Sequence, residues 1–339
     1  ILYFHEMKNR LLIIEILILI IWSFVFLTYI KYNYSKKCPK PLNSEHYFRA
    51  TDNELLNLYN IPELGDPRHR IFKTDSFQFR ISEPERRIFY RLISRVDKIL
   101  KENGIQYFLC GGTLLGSYRY HDFIPWDDDF DICIGMIQRQ DLEDLFKFQN
   151  DSNIKLVYTE YHDKIYFENE SISTSIYFWK WPYIDVSFYN SNETHIFDIT
   201  ETYNRVETFP KSVVFPLSTR PFFVFNLPTP KDAFAYCVWN YGFNDNCIAG
   251  VYSHMREMQG MPYAKVKCKE LANLFPFTRR YNSSDGIIEE LIYKNKVIQK
   301  IKVNEPIYAI SDELSLLLKK GYEIPKTIEF PKFKNIAFN

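Results

Sequence analysis

The chain of 339 residues carries 42 Lys and Arg against 42 Asp and Glu, so its net charge is zero and no bulk electrostatic attraction to nucleic acid is available. An apolar fraction of 46% and a charged fraction of 25% are those of an ordinary folded protein with a sizeable core. The aromatic fraction of 17% favours a mixed or β-rich fold, because Phe and Tyr suit pleated surfaces.

The chain opens on Ile1, and Met7 is read as its start residue. From Leu11 to Ile30 runs LLIIEILILIIWSFVFLTYI, with Glu15 as its one charge near an end. A helix of that length rises ~1.5 Å per residue and spans a ~30 Å hydrocarbon layer. Signal peptides have shorter apolar cores, ~7–15 residues, and end in a small-residue cleavage site that is missing here. The segment is therefore expected to stay as a membrane anchor, with 1–10 as a short tail before it. Lys8 and Arg10 precede it, while Lys31, Lys36, Lys37 and Lys40 follow, so flanking charge does not favour a luminal C-terminus. Five sequons, at Asn33, Asn150, Asn169, Asn192 and Asn282, lean modestly the other way. Residues 31–80 read as a polar stem.

A folded domain is expected from about residue 81. Ser82-Glu83-Pro84-Glu85 forms a capping box with Pro in the first turn, and Ile88, Phe89, Leu92, Ile93, Val96, Ile99 and Leu100 make one helical stripe, predicting a helix over 83–103 that Gly104 ends. Ile105 to Cys110 reads as a strand that Gly111-Gly112 breaks, Thr113 to Ser117 as a helical turn and Phe130 to Ile134 as a second strand. A helix over 138–149 and strands over 154–159, 164–168, 174–179 and 183–189 follow. The order suits a mixed α/β sheet flanked by helices.

Six cysteines form no CxxC pair, which argues against a zinc ribbon. Cys110 and Cys133 lie in apolar runs and are expected to be buried free thiols, whereas Cys237, Cys247 and Cys268 are candidates for a disulfide.

The stretch from Phe108 to Ile134 carries the chemistry. Glycines at a strand end let backbone N–H groups approach an anion, and a helix start directly after them adds a favourable dipole, so Gly111, Gly112 and Thr113 are candidates for holding phosphate. Trp126-Asp127-Asp128-Asp129-Phe130-Asp131 places four carboxylates in five residues, which repel unless a cation sits among them. On a strand, Asp129 and Asp131 share a face, with Phe130 and Ile132 behind them in the core. Parallel carboxylates on a rigid strand suit Mg²⁺ or Mn²⁺. Asp185, a lone acid among apolar neighbours in Tyr183 to Phe188, is the candidate third acid, as metal ligand or as base for an acceptor hydroxyl. Arg119 is a candidate partner for a phosphate, and His121 reads as a surface loop residue. Together these residues describe metal-assisted phosphoryl transfer from an activated nucleotide.

GGTLLGSYRYHDFIPWDDDFDICI resembles the signature of the LicD/fukutin-related family of phosphotransferases. YIDVSFY at 183–189 resembles that family's later acidic strand, with Ser187 and a missing Pro as departures. Val214-Phe215-Pro216-Leu217, Phe222, Leu227-Pro228 with Pro230, and Tyr241-Gly242 are similar to its closing pattern. The resemblance covers about 83–245 and implies a nucleotidyltransferase-like α/β fold. It further implies transfer of a phosphorylated small alcohol, of the phosphocholine or ribitol-phosphate kind, from a CDP-activated donor to a hydroxyl on a glycan or glycoprotein acceptor. Mapped residue by residue, it implies Asp129 and Asp131 as metal ligands with Asp127 in support, Gly112 and Thr113 on donor phosphate, and Asp185 as third acid. It also fits a type II anchor in the Golgi or ER with a luminal catalytic domain at 81–250 and an extension at 251–339 packed on it. In that extension Lys265, Lys267, Lys269, Arg279 and Arg280 read as a solvated face, and Met255, Met258 and Met261 as packing residues. Two other function classes stay open: a non-catalytic, membrane-anchored glycan-binding relative, and a glycosyltransferase using Asp-x-Asp with a nucleotide sugar.

Overall fold

A computed structural model describes residues 61–70, 76–148, 151–200, 207–241, 245–283 and 286–303, together with Leu55 and Glu305. The expected anchor at 11–30 lies outside the described residues; among these, no helix is long and apolar enough to cross a membrane.

Helix α1 (Glu83–Glu102) starts where the capping box predicts, with the Ser82 N–H donating to the Glu85 carboxylate at 2.6 Å. Its stripe of Phe89, Leu92, Ile93, Val96 and Leu100 is buried against the sheet. The chain then runs through β1 (Tyr107–Leu109), α2 (Gly111–Tyr120), β2 (Asp131–Gly135), α3 (Arg139–Phe148), β3 (Ile154–Val157), β4 (Asp163–Phe167), β5 (Tyr183–Ser191), β6 (His195–Asp198) and β7 (Thr208–Pro210). The strand order is β1-β2-β5-β4-β3, with β6 and β7 continuing from the far half of β5. Only β2 and β5 run parallel; the other pairs in this sheet are antiparallel. The parallel pair lies at the sheet centre, and Ile132, Ile134, Val186 and Phe188 on it are buried.

Beyond the sheet come the short α4 (Lys211–Val214), the hairpin β8 (Ser218–Phe222) and β9 (Phe225–Thr229), and α5 (Ala233–Tyr241). Phe222 packs on Phe123 and Phe130, so the hairpin closes the core directly behind the acid stretch. A second apolar cluster of Phe79, Tyr120, Trp126, Leu271, Phe275 and Phe277 joins α2 to β10 (Asn246–Ala249), which pairs with β13 (Ala264–Lys267). The disulfide Cys247–Cys268 lies in that region, while Cys110, Cys133 and Cys237 are buried free thiols. Between β10 and β13 stands a small hairpin, β11 (Tyr252–Ser253) and β12 (Met258–Gln259). The antiparallel sheet β14 (Phe277–Ser283), β15 (Gly286–Tyr293) and β16 (Lys296–Val303) ends the described chain.

Five sequence expectations need correction. Residues 174–179 form a loop rather than a strand, closed by a bridge between Ile172 and Trp181, and their apolar side chains Ile176, Tyr177 and Phe178 face solvent, which a core strand would not allow. Gly111-Gly112 begins α2 instead of standing before a turn. His121 itself takes the left-handed conformation that ends α2 and is buried against Glu289. Arg280 is buried on the same glutamate, and Met258 is exposed while Met255 and Met261 pack.

Candidate active site

The register of three strands builds the site. Asp131 on β2 pairs with Asp185 on β5, and Asp185 pairs in turn with Lys164 on β4. Residues in register on neighbouring strands share a face at ~4.8 Å spacing, so an acid, an acid and a base stand in one row across the sheet. The Lys164 ammonium donates to Asp185 Oδ1, lies 3.9 Å from Glu257 Oε1 and sits 4.5 Å from the Tyr183 ring centre.

The acid stretch before β2 is pinned by two indoles. Trp126 Nε1 donates to the Ile248 carbonyl at 2.9 Å, and Trp181 Nε1 donates to the Asp128 carbonyl at 2.8 Å. Asp128 is fully buried. It accepts hydrogen bonds from Ser253 Oγ at 2.8 Å and from the His254 and Met255 N–H groups at 3.1 Å each, so it anchors the β11–β12 turn. That turn brings in His254, whose Nε2 lies 3.1 Å from Asp129 Oδ2 and whose Nδ1 lies 3.3 Å from Asp128 Oδ1. Ligand atoms of Asp127, Asp128 and His254 fall within 4.8 Å of one another.

The start of α2 fits against these acids because it lacks side chains. A Cβ on Gly111 would stand 2.8 Å from Asp131 Oδ2, and one on Gly112 would stand 2.9 Å from Asp127 Oδ2. Gly111 also has φ +53°, the left-handed region. The first N–H groups of the helix have no intrahelical acceptor, and the helix dipole favours negative charge beside them. Thr113 is buried, and its hydroxyl accepts the Asp131 N–H at 2.7 Å, locking helix to strand. The structure thus brings together Gly111, Gly112, Thr113, Asp127, Asp129, Asp131 and Asp185. Arg119 is not brought to them. It sits in the last turn of α2, roughly 12 Å along the axis from Gly111 at ~1.5 Å per residue, and donates to the Asn246 carbonyl at 3.2 Å.

Burial, reinforced by the neighbouring carboxylates, pushes Asp129 up to about 7 and Asp131 up to about 8, and holds Asp127 well above the usual carboxylate range; the positive charge of His254 opposes all three. Burial alone would raise Asp128 too, but its bonds from His254 and Met255 hold it at about 2. Burial disfavours a charged His254, yet Asp129, Asp128 and Asp127 overcome this and hold it well above the ordinary imidazole range. Among the described residues, Asp127, Asp128, Asp129, Asp131, Asp185 and Glu257 outnumber the bases that touch them, Lys164 and His254. Hard oxygen donors, surplus negative charge and a cradle that a single Cβ would fill fit a hard divalent cation.

His254, Lys164 and Glu257 were not recognised in the sequence. Lys164 had only a weak signal, a charge at the edge of the apolar run Ile165-Tyr166-Phe167 and directly after Asp163. His254 and Glu257 had none, since a short polar turn is common anywhere.

Residues 104–232 match the family model described as LicD/FKTN/FKRP, nucleotidyltransferase domain. Over 92 residues the chain is 37% identical to an uncharacterized protein of Rickettsia typhi, covering 26% of this chain and 28% of that protein. Over 142 residues it is 28% identical to ribitol 5-phosphate transferase FKRP of Mus musculus, covering 40% of this chain and 27% of the mouse protein. Over 42 residues it is 45% identical to lipopolysaccharide cholinephosphotransferase LicD of Haemophilus influenzae, covering 12% of this chain and 16% of that protein. The chain spans less than a third of the length of these curated relatives. Asp127, Asp129, Asp131, Lys164 and Asp185 lie inside the matched segment, and His254 and Glu257 lie beyond it.

Proposed function

We propose that this chain, which carries a LicD/FKTN/FKRP nucleotidyltransferase domain over residues 104–232, is a metal-dependent phosphotransferase that moves a phosphorylated small alcohol from a CDP-activated donor to a glycan hydroxyl. Its two named relatives are a ribitol 5-phosphate transferase and a cholinephosphotransferase, which supports a phosphotransferase at family level. The observation that carries the reading is the pairing of Asp131 with Asp185 on adjacent parallel strands beside the Gly111-Gly112 end of α2.

Asp127, Asp129, Asp131 and Asp185 would hold Mg²⁺ or Mn²⁺, which when bound supplies charge neutralisation at the donor's phosphate oxygens. The N–H groups at the start of α2 orient those oxygens. Thr113 keeps Asp131 at a fixed distance from that helix end. Lys164 fixes the Asp185 carboxylate in the row, and His254 does the same for Asp129. In the reaction the acceptor oxygen forms a bond to the phosphorus bearing the small alcohol, the bond from that phosphorus to CMP breaks, and the acceptor proton leaves. Asp185 is the carboxylate assigned to receive that proton where it does not bind the cation. We place the domain in the Golgi or ER lumen, held to the membrane by the apolar segment 11–30, which lies outside the described residues.

CMP release from CDP-ribitol and CDP-choline, with a nucleotide sugar as control, tests the reading. Release from a CDP-alcohol that needs Mg²⁺ or Mn²⁺ and vanishes in Asp131→Asn is the expected result. Turnover of the nucleotide sugar alone would make the chain a glycosyltransferase. Properly folded protein that releases CMP from neither CDP-alcohol, with or without a glycan present, would make it a non-catalytic relative.

A further inference from the structure

The loop 172–181 stands beside the acid row, yet its side chains have no role in the chemistry above. Its ends are closed by the two backbone hydrogen bonds between Ile172 and Trp181, at 2.8 and 2.9 Å. Within it Tyr177 and Trp179 stack face to face, with ring centres 4.5 Å apart and planes 9° apart. Trp179 is buried, its indole N–H donates to Glu257 Oε1 at 2.9 Å, and the Lys164 ammonium lies 5.6 Å from its ring. Glu257 also accepts the hydroxyls of Tyr183 and of Tyr252, the latter at 2.9 Å, and its side chain is 8% exposed. The Thr174 hydroxyl donates to the Met255 carbonyl and ties the loop to the same β11–β12 turn that carries His254. A buried carboxylate thus fixes the stack from beneath, one side chain away from Asp185. Its outer residues are uncovered: Tyr177 is 43% exposed, Phe178 72% and Ile176 97%. Ile176, Tyr177 and Phe178 are thus three consecutive exposed apolar side chains at the mouth of a loop tied to the site.

We propose that the Tyr177–Trp179 stack, with Phe178 beside it, seats a sugar ring of the acceptor glycan next to the acid row; the assignment rests on the transferase reading given above. A sugar ring presents an apolar face of C–H groups and a polar rim. The exposed Tyr177 ring offers a flat amphipathic surface for that face, and Trp179 beneath it reaches inward to Lys164, which holds Asp185. A nucleotide, by contrast, is a small ligand of the kind that sites enclose, burying ~70–90% of its surface. The open tip at Ile176 and Phe178 leaves room for the rest of an extended chain.

The test uses the full chain in a non-glycosidic detergent, as wild type, Tyr177→Ala and Tyr177→Phe. Tryptophan fluorescence follows titration with di- and trisaccharides of glucose, galactose and N-acetylglucosamine, and calorimetry measures CDP binding with Mn²⁺ on the same samples. The expected result is saturable saccharide binding by wild type and Tyr177→Phe, weakened at least tenfold in Tyr177→Ala, with CDP affinity equal in all three. Binding of no saccharide by wild type, or equal binding by Tyr177→Ala, overturns the platform while leaving CDP binding as a separate measure of the transferase reading. Loss of CDP rather than saccharide affinity in Tyr177→Ala assigns the stack to a nucleobase and also overturns the proposal. Saccharide binding that depends on Tyr177, in a protein that does not bind CDP, supports the platform and removes the transferase.

Discussion

Two buried charge clusters in this protein are built to opposite rules. At β2 and β5, carboxylates crowd together and their neighbours and burial raise their proton affinity, Asp129 to about 7 and Asp131 to about 8. Where α2, β8 and β15 meet, Glu289 takes both Nη2 contacts of Arg220 at 2.7 and 2.9 Å, Arg280 Nε at 2.5 Å and His121 Nε2 at 2.7 Å. Burial works against the Glu289 carboxylate there as well, but the two guanidinium groups overcome it and hold Glu289 far below the usual range. The second cluster pairs its charges within the fold itself, and it joins the β14–β16 sheet to α2 and β8. The first carries more carboxylates than Lys164 and His254 can pair, in a place where two glycines let the start of α2 approach the acids closely. One cluster holds the chain together; the other is shaped to take a cation from outside.

The largest effect separating them should come from Glu289→Ala. It leaves Arg220 and Arg280 buried without their shared partner and is expected to cost about 3–5 kcal/mol in urea unfolding. A loss below about 1 kcal/mol would mean the cluster is not the clasp described, against the general expectation for one-sided removal of buried pairs.

The two clusters should also answer pH in opposite directions. A depressed carboxylate gives stability that is complete above its unfolded value and lost as pH falls, so Glu289 contributes acid sensitivity below about pH 4.3. Asp129 and Asp131 have folded values raised above their unfolded value, so between about pH 4 and their values of about 7 and about 8 the folded protein binds more protons than the unfolded chain. Metal-free protein should therefore lose stability as pH rises through that window. Mg²⁺ or Mn²⁺ should flatten the slope, and Asp131→Asn should reduce it without a cation. Thermal melts from pH 5 to 8 check this; a metal-free melting temperature that rises with pH would contradict it.

A smaller effect is expected from Lys164→Met. Removing an ammonium that touches Asp185 makes the row more negative, so divalent cation affinity should rise about tenfold, which is ~1.4 kcal/mol. Weaker cation binding in that variant would show that holding Asp185 in place outweighs the repulsion between Lys164 and the ion.

What could be read in the sequence depended on how local the physics was. The helix at 83–102 was legible because its cap, its Pro and its apolar stripe all lie within the helix. Asp131 and Asp185 were legible because an acid inside an apolar strand is costly without a partner. Their pairing was not, because parallel register is set by the whole sheet. The run at 174–179 was misread as a strand because local pattern does not say which face meets the core. His121 reads as a surface residue because its partner Glu289 lies 168 residues further on. Arg119 was an attractive phosphate ligand by position, but the helix that carries it aims it at β10. The disulfide fell within a set of three cysteines that sequence alone could not pair, and the β11–β12 turn had no pattern to announce that it would deliver His254 to Asp129.

The central claim is that the Asp127, Asp129, Asp131 and Asp185 cluster is a divalent cation site that binds a CDP-linked donor. Its most direct test is calorimetric titration of Mn²⁺ and then CDP into wild type and Asp131→Asn, with melting curves on both. Saturable Mn²⁺ binding, CDP binding that requires it, and loss of both in an Asp131→Asn protein at least as stable as metal-free wild type are predicted. Wild type that binds CDP equally with and without a divalent cation, or an Asp131→Asn variant that keeps Mn²⁺ binding, would contradict the claim.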